Sequence, residues 1–384
     1  MSRWAVSQRV HVGVACMFVL GVVYLQLQRH EPFYNWDIIP YIGIAQVWSG
    51  KDLNEAHAAT FALVEQEVSP SRYADLVGRN DYRQGVFDNP DYFHKQFPFY
   101  SVKPAYPILL LLLDKLGVDM VSASVGISRA CYVLTGLLLL AWTWRYMPPL
   151  PAAMIAAALL STSIVLQLAL FSTPDALSVL VMLLGIFLLA ELRMEPAAWT
   201  LLVVAVLIRP DNVALISVFA AWALIFSDLG RKTVGVALLS SVGIYLLVNF
   251  LSGNYGWAIH FFHSIYGGVL DPAARDVHLT LQQYMGIYGA LTRPHYAPFT
   301  WLFLALNLLL LIRCVQKCGI GNIWTGLLAS NLVYVVLHWI AHPIEKDRTL
   351  VLAFLLVFCS IFAGHNTPAA AGRRVECRGA EHAA

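Results

Sequence analysis

The chain has 384 residues, of which 59% are hydrophobic and only 12% charged, with a formal net charge of +2. Soluble domains carry about 25% charged residues, so this composition cannot clothe a water-facing surface, and the apolar residues come in long blocks rather than at amphipathic spacing. The small, scattered charge shows no basic stripe interleaved with aromatics, which argues against a nucleic-acid partner; the lipid bilayer is the expected partner instead.

In chain order, the block Val10 to Gln28 lacks a small-residue cleavage site and is expected to be the first membrane span rather than a signal peptide. Blocks follow at 121–144, 150–170, 176–192, 197–208, 213–226, 233–250, 299–312, 322–340 and 349–363. At about 20 apolar residues per span they describe an all-α integral membrane protein of about ten transmembrane helices, with 197–208 and 213–226 short. Their shortness makes sense if the turn between them is sunk around a cavity. The run from Pro104 to Leu116 is also too short to cross and is expected to lie on the outer face as an interfacial helix.

Positive charge sets the orientation, because Lys and Arg are retained on the cytoplasmic side of short loops. With Arg3 and Arg9 inside, ten spans leave Arg145, Arg193, Arg231 with Lys232, Arg313 with Lys317, and the tail with Arg373, Arg374 and Arg378 inside too. An eleventh span at 105–116 would put most of these charges outside. The expected location is a bacterial inner (cytoplasmic) membrane with both termini cytoplasmic. The periplasmic face then collects the first loop (29–120), the turn Phe171–Asp175, the turn Arg209–Asn212, the segment Leu251–Pro298 and His342–Arg348. Long loops usually carry function, so the chemistry is expected on that face. The chain divides into a membrane module at 1–250, an outer loop with C-terminal spans at 251–363, and a Gly/Ala-rich tail at 364–384 expected to be disordered.

Cys16, Cys131 and Cys359 lie in apolar blocks, while Cys314, Cys318 and Cys377 fall in segments expected to be cytoplasmic, so no disulfide is expected. The Cys314–Cys318 pair lacks the nearby His or second pair of a zinc set.

The polar residues at costly positions come next. Asp37 stands beside Trp36 just after the first span, opening an amphipathic stretch to Trp48; partial desolvation there would suit a general base, and a helix N-cap or a solvated loop acid is the alternative. Lys103 opens the interfacial helix. Arg129 lies roughly a third of the way into the second span, where ionisable residues mark a ligand, a partner or a snorkelling side chain. Together the two cations suit a phosphate. Asp175 opens the fourth span, Arg209 begins the turn between the short spans, and Arg348 closes the last outer segment.

Taken in order, these positions resemble the GT-C glycosyltransferase superfamily, in particular bacterial relatives of protein mannosyltransferases and lipid A aminoarabinose transferases. The resemblance rests on Trp36-Asp37 with Tyr41 and Ala45, Lys103-Pro104-Ala105-Tyr106-Pro107, Arg129, Asp175 and Arg209-Pro210, and covers the first 226 residues best. It implies a polyprenyl-phosphate-linked sugar donor, a glycan, lipid or protein acceptor, and a periplasmic active site. In that family the first-loop acid is the catalytic base or a metal ligand, which carries over to Asp37, and basic residues hold the donor phosphate, which carries over to Lys103 and Arg129, with Arg209 and Arg348 as further contacts and Asp175 at the substrate. Many relatives pair two acids at the first site, whereas Ile38 follows Asp37 here, so a divalent metal ion stays open, with Asp37 its ligand if one binds. The chain also lacks the soluble C-terminal domain of larger members, which fits a small acceptor as well as a protein. A transporter or flippase for a lipid-linked or anionic substrate is the rival, and should show broken helices in corresponding places of two halves. A purely structural assembly protein would have no need of Arg129.

Overall fold

The computed structural model describes residues 3–275, 277–292, 298–341 and 347–363. Every regular element among them is a helix, and the one pairing of extended backbone is an isolated parallel bridge between Phe33 and Phe171. After α1 (Arg3–Arg29), the first loop is itself helical: α2 (Ile38–Trp48), α3 (Leu53–Glu67), α4 (Pro70–Gly78), α5 (Asp81–Asp88), α6 (Pro90–His94), α7 (Phe97–Tyr100) and α8 (Ala105–Lys115). The bundle continues with α9 (Met120–Trp144), α10 (Pro149–Leu160), α11 (Ser163–Leu170), α12 (Asp175–Ala190), α13 (Glu195–Ile208), α14 (Asn212–Phe226) and α15 (Arg231–Leu251). Two shorter helices, α16 (Trp257–Tyr266) and α17 (Leu281–Thr292), precede α18 (Pro298–Cys318), α19 (Ile323–Ala341) and α20 (Asp347–Ala363).

Four helices among the described residues, α1 from Val10, α9, α15 and α19, are long and apolar enough to cross a membrane; the bent pair α10–α11 makes a fifth if it counts as one span. These apolar helices make the chain a multi-pass membrane protein. The 16, 14 and 15 residues of α12, α13 and α14 reach only about 21–24 Å at 1.5 Å per residue, less than the hydrocarbon thickness of about 30 Å.

Several expectations need correction. The block 150–170 is not one straight helix but bends by 73° between α10 and α11. The sequence Ser161-Thr162-Ser163 makes the break tolerable, since the Ser161 hydroxyl donates to the Ala157 carbonyl (2.8 Å) and that of Thr162 to the Leu159 carbonyl (2.6 Å), while Tyr132 donates to the Leu160 carbonyl (2.7 Å). Nor is α2 amphipathic: every residue from Ile38 to Gln46 is buried, so the helix is covered all round by the rest of the first loop and by α9. Gly43 permits this, because a Cβ there would lie 2.2 Å from the Phe93 ring of α6. The helix α18 runs on beyond the apolar block 299–312 through Cys318, and Cys314 is a buried helical residue accepting from the Thr325 hydroxyl at 3.2 Å. As expected from its length, α8 is too short to cross; it buries Tyr106, Pro107 and Leu110 and exposes Ile108, Leu112 and Leu116.

The connections gather at two ends of the bundle. At one, Phe33 pairs with Phe171, Arg209 with Asp175, Lys95 with Asp271 (2.5 Å), and the Trp257 indole donates to the Ala341 carbonyl (3.0 Å). At the other, Arg145 pairs with Glu191 (3.0 Å) and the Gly230 amide donates to Glu195 (2.9 Å). The Lys95–Asp271 pair also crosses the expected division at residue 250. His342 to Lys346 and the tail 364–384 lie outside the described residues.

Candidate functional site

The chain leaving α1 is pinned to the turn between α11 and α12. The Phe33 amide donates to the Leu170 carbonyl (2.8 Å), the Asn35 amide to the Ser172 hydroxyl (3.1 Å), and the Asn35 side chain in turn accepts from the Asp37 amide (3.2 Å). This fixes Asp37 at the entrance to α2. It occupies the N-cap position, yet its side chain makes no capping bond; Oδ1 accepts instead from the Tyr100 hydroxyl at 3.2 Å. The alternative of a simple cap is thereby set aside.

An aromatic shell surrounds the carboxylate. Trp36 meets Tyr82 (5.0 Å between centroids) and Tyr100 (6.2 Å), and Tyr41 meets Tyr100 (5.2 Å) and Tyr106 (5.0 Å). Burial, and then the Asp37 charge, push the phenols of Tyr100 and Tyr82 well above their usual range, so both stay protonated and Tyr100 remains a donor. Tyr82 also lines a cavity of about 390 Å³, together with Asp81, Gly268, Asp271 and Arg275.

Lys103 follows α7 and precedes α8. Its Nζ donates to the Tyr41 hydroxyl at 2.9 Å and lies 5.6 and 5.8 Å from the ring centroids of Tyr41 and Tyr100, within cation–π range. Asp37 and Lys103 thus meet on one pair of tyrosines. The fold brings them together from opposite ends of the helical first loop.

A second cluster adjoins this one. Arg209 reaches both oxygens of Asp211 (3.0 Å through Nε, 2.8 Å through Nη2) and pairs with Asp175, which also accepts from the Thr173 hydroxyl. Side-chain exposure is 8% for Asp175, 15% for Arg209 and 29% for Asp211. Burial opposes ionisation of Asp211, but the Arg209 guanidinium, followed by His338 and Lys103, holds its carboxyl well below the usual range. Lys103 therefore acts on both clusters, and Tyr334 of α19 hydrogen-bonds Asp211. With two carboxylates around it, Arg209 is arranged as a strut between α12 and the α13–α14 turn more than as a phosphate clamp.

Arg129 stands apart. Successive helical residues turn by about 100°, so Arg129 lies about 140–160° around α9 from Ser124 and Cys131, which face Tyr106 of α8. Its charge acts on Tyr34. Nor is it as deep as its place in the sequence suggests. The Ser128 hydroxyl donates to the Phe171 carbonyl (2.7 Å), and Phe171 bridges Phe33, just past the end of α1, so this level of α9 is the level at which α1 ends. The Arg348 side chain lies outside the described residues.

Among the described residues no group of three or more His, Cys, Asp and Glu could hold a metal ion. The neighbours of Asp37 are phenols and an indole, a poor donor set for a divalent cation, which prefers carboxylates, carbonyls and water. Sequence reading alone passed over Tyr82, Tyr100, Tyr334 and His338. Tyr100, three residues before Lys103 in an aromatic run, was the one with a usable signal.

No family model, curated protein or solved structure matches the chain.

Proposed function

We propose that this chain is a membrane-embedded glycosyltransferase of the GT-C type, with ten spans in a bacterial inner membrane. It moves a sugar from a polyprenyl-phosphate donor to a glycolipid, polysaccharide or protein acceptor at the periplasmic face. The observation that carries this reading is the meeting of Asp37 and Lys103 on the Tyr41–Tyr100 pair, at the end of the bundle where the long connections gather. An acid and a cation so close together match the two ends of the reaction.

The bond from the anomeric carbon to the phosphate oxygen breaks, and one to the acceptor oxygen forms. Asp37 takes the acceptor proton, and the phosphate leaves as an anion stabilised by Lys103, needing a cation rather than a proton. The apolar tail of the donor lies along the exposed Ile108, Leu112 and Leu116 of α8, which bring its phosphate to Lys103 at the start of that helix. Asp175, Arg209 and Asp211 hold the neighbouring turn and the field around Lys103. No step runs through a metal ion. The rival, a transporter or flippase, has in its favour the 73° break between α10 and α11, but that break has no counterpart among the described helices and lies away from Asp37 and Lys103 in sequence.

The test compares purified wild type with Asp37→Asn, using undecaprenyl-phosphate mannose or arabinose as donor. Asn keeps the shape but cannot take the proton, so turnover should fall by about 10²–10⁴ while donor binding persists. Transfer within about threefold of wild type would remove Asp37 as base.

A further inference from the structure

Among the sequence-predicted cations with described side chains, Arg129 is the one that the site just described does not absorb. Its Nε is buried without a hydrogen-bond partner, and no ion pair forms on its guanidinium among the described residues. Arg129 as a whole is half-buried; a guanidinium cannot shed its proton, so its N–H groups call for acceptors wherever water is scarce. Glu31, Glu67 and Asp119 surround the neighbouring Tyr34 with negative charge but give Arg129 no direct contact.

The surroundings open outward. One turn before Arg129, Gly126 has nothing within 4 Å of where a Cβ would stand, and Ser122, Gly126 and Ala130 are exposed. The adjacent α1 carries a largely exposed surface, with Tyr24 and Leu25 among its bare side chains. Arg129 also sits at the level where α1, a helix long and apolar enough to cross a membrane, ends.

We propose that Arg129, with Tyr34 at the same level just past the end of α1, binds the phosphate of an anionic bilayer lipid at the exposed surface between the end of α1 and the outer third of α9. This site is separate from that of Lys103. The bilayer lipid is favoured over the sugar donor because Arg129 lies on the side of α9 away from Tyr106 and α8, where a donor at Lys103 does not reach. Guanidinium and phosphate are matched in geometry, two parallel N–H groups meeting two oxygens, and the lipid's acyl chains would cover the bare side of α1. The proposal does not depend on the glycosyltransferase reading.

Native mass spectrometry of the delipidated full chain, titrated with dioleoyl phosphatidylglycerol and with dioleoyl phosphatidylcholine, tests it. Wild type should bind the anionic lipid more tightly, and Arg129→Gln should weaken that binding by about tenfold, the worth of one charge-assisted hydrogen bond. Arg129→Lys should lose less, and Arg72→Gln, which removes an exposed cation lying over the Phe33 ring at 5.5 Å, should lose nothing. Equal phosphatidylglycerol affinity of Arg129→Gln and wild type would overturn the site. So would displacement of the lipid by millimolar inorganic phosphate, which would mark a free-phosphate site, or an Arg129 dependence seen only with undecaprenyl phosphate, which would return the residue to the donor site. Should Arg129→Gln fail to fold, Arg129→Lys and Tyr34→Phe carry the test, and unchanged affinity in both rejects it.

Discussion

Two polar clusters at opposite ends of the bundle use the same residue types differently. At one end Glu191, its side chain 6% exposed, accepts from the Trp142 indole (3.1 Å), the Tyr146 hydroxyl (2.5 Å) and Arg145 Nε (3.0 Å), and its carbonyl accepts from Arg145 Nη2 (3.0 Å). Acid, cation and phenol there close on one another, tying the end of α9 to the end of α12. At the other end, Asp37 is held by Tyr100 and Lys103 by Tyr41, so both charges are oriented by neutral phenols. The difference is between an acid and a cation that brace each other directly and an acid and a cation that meet on a shared pair of tyrosines. By that criterion Asp175, Arg209 and Asp211, bound to each other, belong with Glu191.

Substitutions can break or sharpen the contrast. Lys103→Gln should weaken donor binding by about 2–5 kcal/mol if the contact is desolvated, measured with undecaprenyl-phosphate mannose; unchanged affinity would remove Lys103 from the donor site. Arg209→Gln should leave the fold short of a buried cation and cost about 3 kcal/mol of stability, the low end for breaking a buried pair, because Asp211 stays 29% exposed. A sign follows for pH. The folded carboxyl of Asp211 is depressed, so its stabilisation is present above the unfolded carboxylate pKa of about 4 and is lost as pH falls below it. Thermal melts of wild type should show that acid loss, and melts of Arg209→Gln should show less of it. Glu191→Gln should cost about 1–3 kcal/mol of stability and leave sugar transfer intact; a loss of transfer at wild-type folding would erase the distinction between the two ends. The smallest effect is expected for Tyr100→Phe, about 1 kcal/mol from one hydrogen bond, read as a severalfold drop in turnover with donor affinity retained.

Much of this was legible in the chain itself. Blocks of apolar residues with scarce charge identify a helical membrane protein without reference to packing, because a bilayer penalises unpaired backbone and isolated charge wherever they fall. That the helix within Pro104–Leu116 is too short to cross followed from its length. Asp37, Lys103, Arg129, Asp175 and Arg209 stood out as polar residues at apolar boundaries, and four of the five fall in one linked pair of clusters.

What local sequence could not reveal was which of them meet. Hydropathy treats 150–170 as one span, because the Ser161–Ser163 hydroxyls that tolerate the 73° bend register only as mild polarity. It reads the stretch from Asp37 to Trp48 as amphipathic, because all-round burial of Ile38 to Gln46 comes from α3, α6, α7, α8 and α9 closing around it. Arg129 and Lys103 look alike as cations near the outer face, yet helical phase separates them across α9. The sequence by itself determined the solvent, the helical class and the identity of the costly side chains, since those depend on composition and on periodicity within one segment. The tertiary structure alone decided that Asp37 and Lys103 share a tyrosine pair, that Arg209 is consumed by two aspartates and that Arg129 faces elsewhere, since each rests on contacts between segments far apart in the chain or on how one helix is turned against its neighbours.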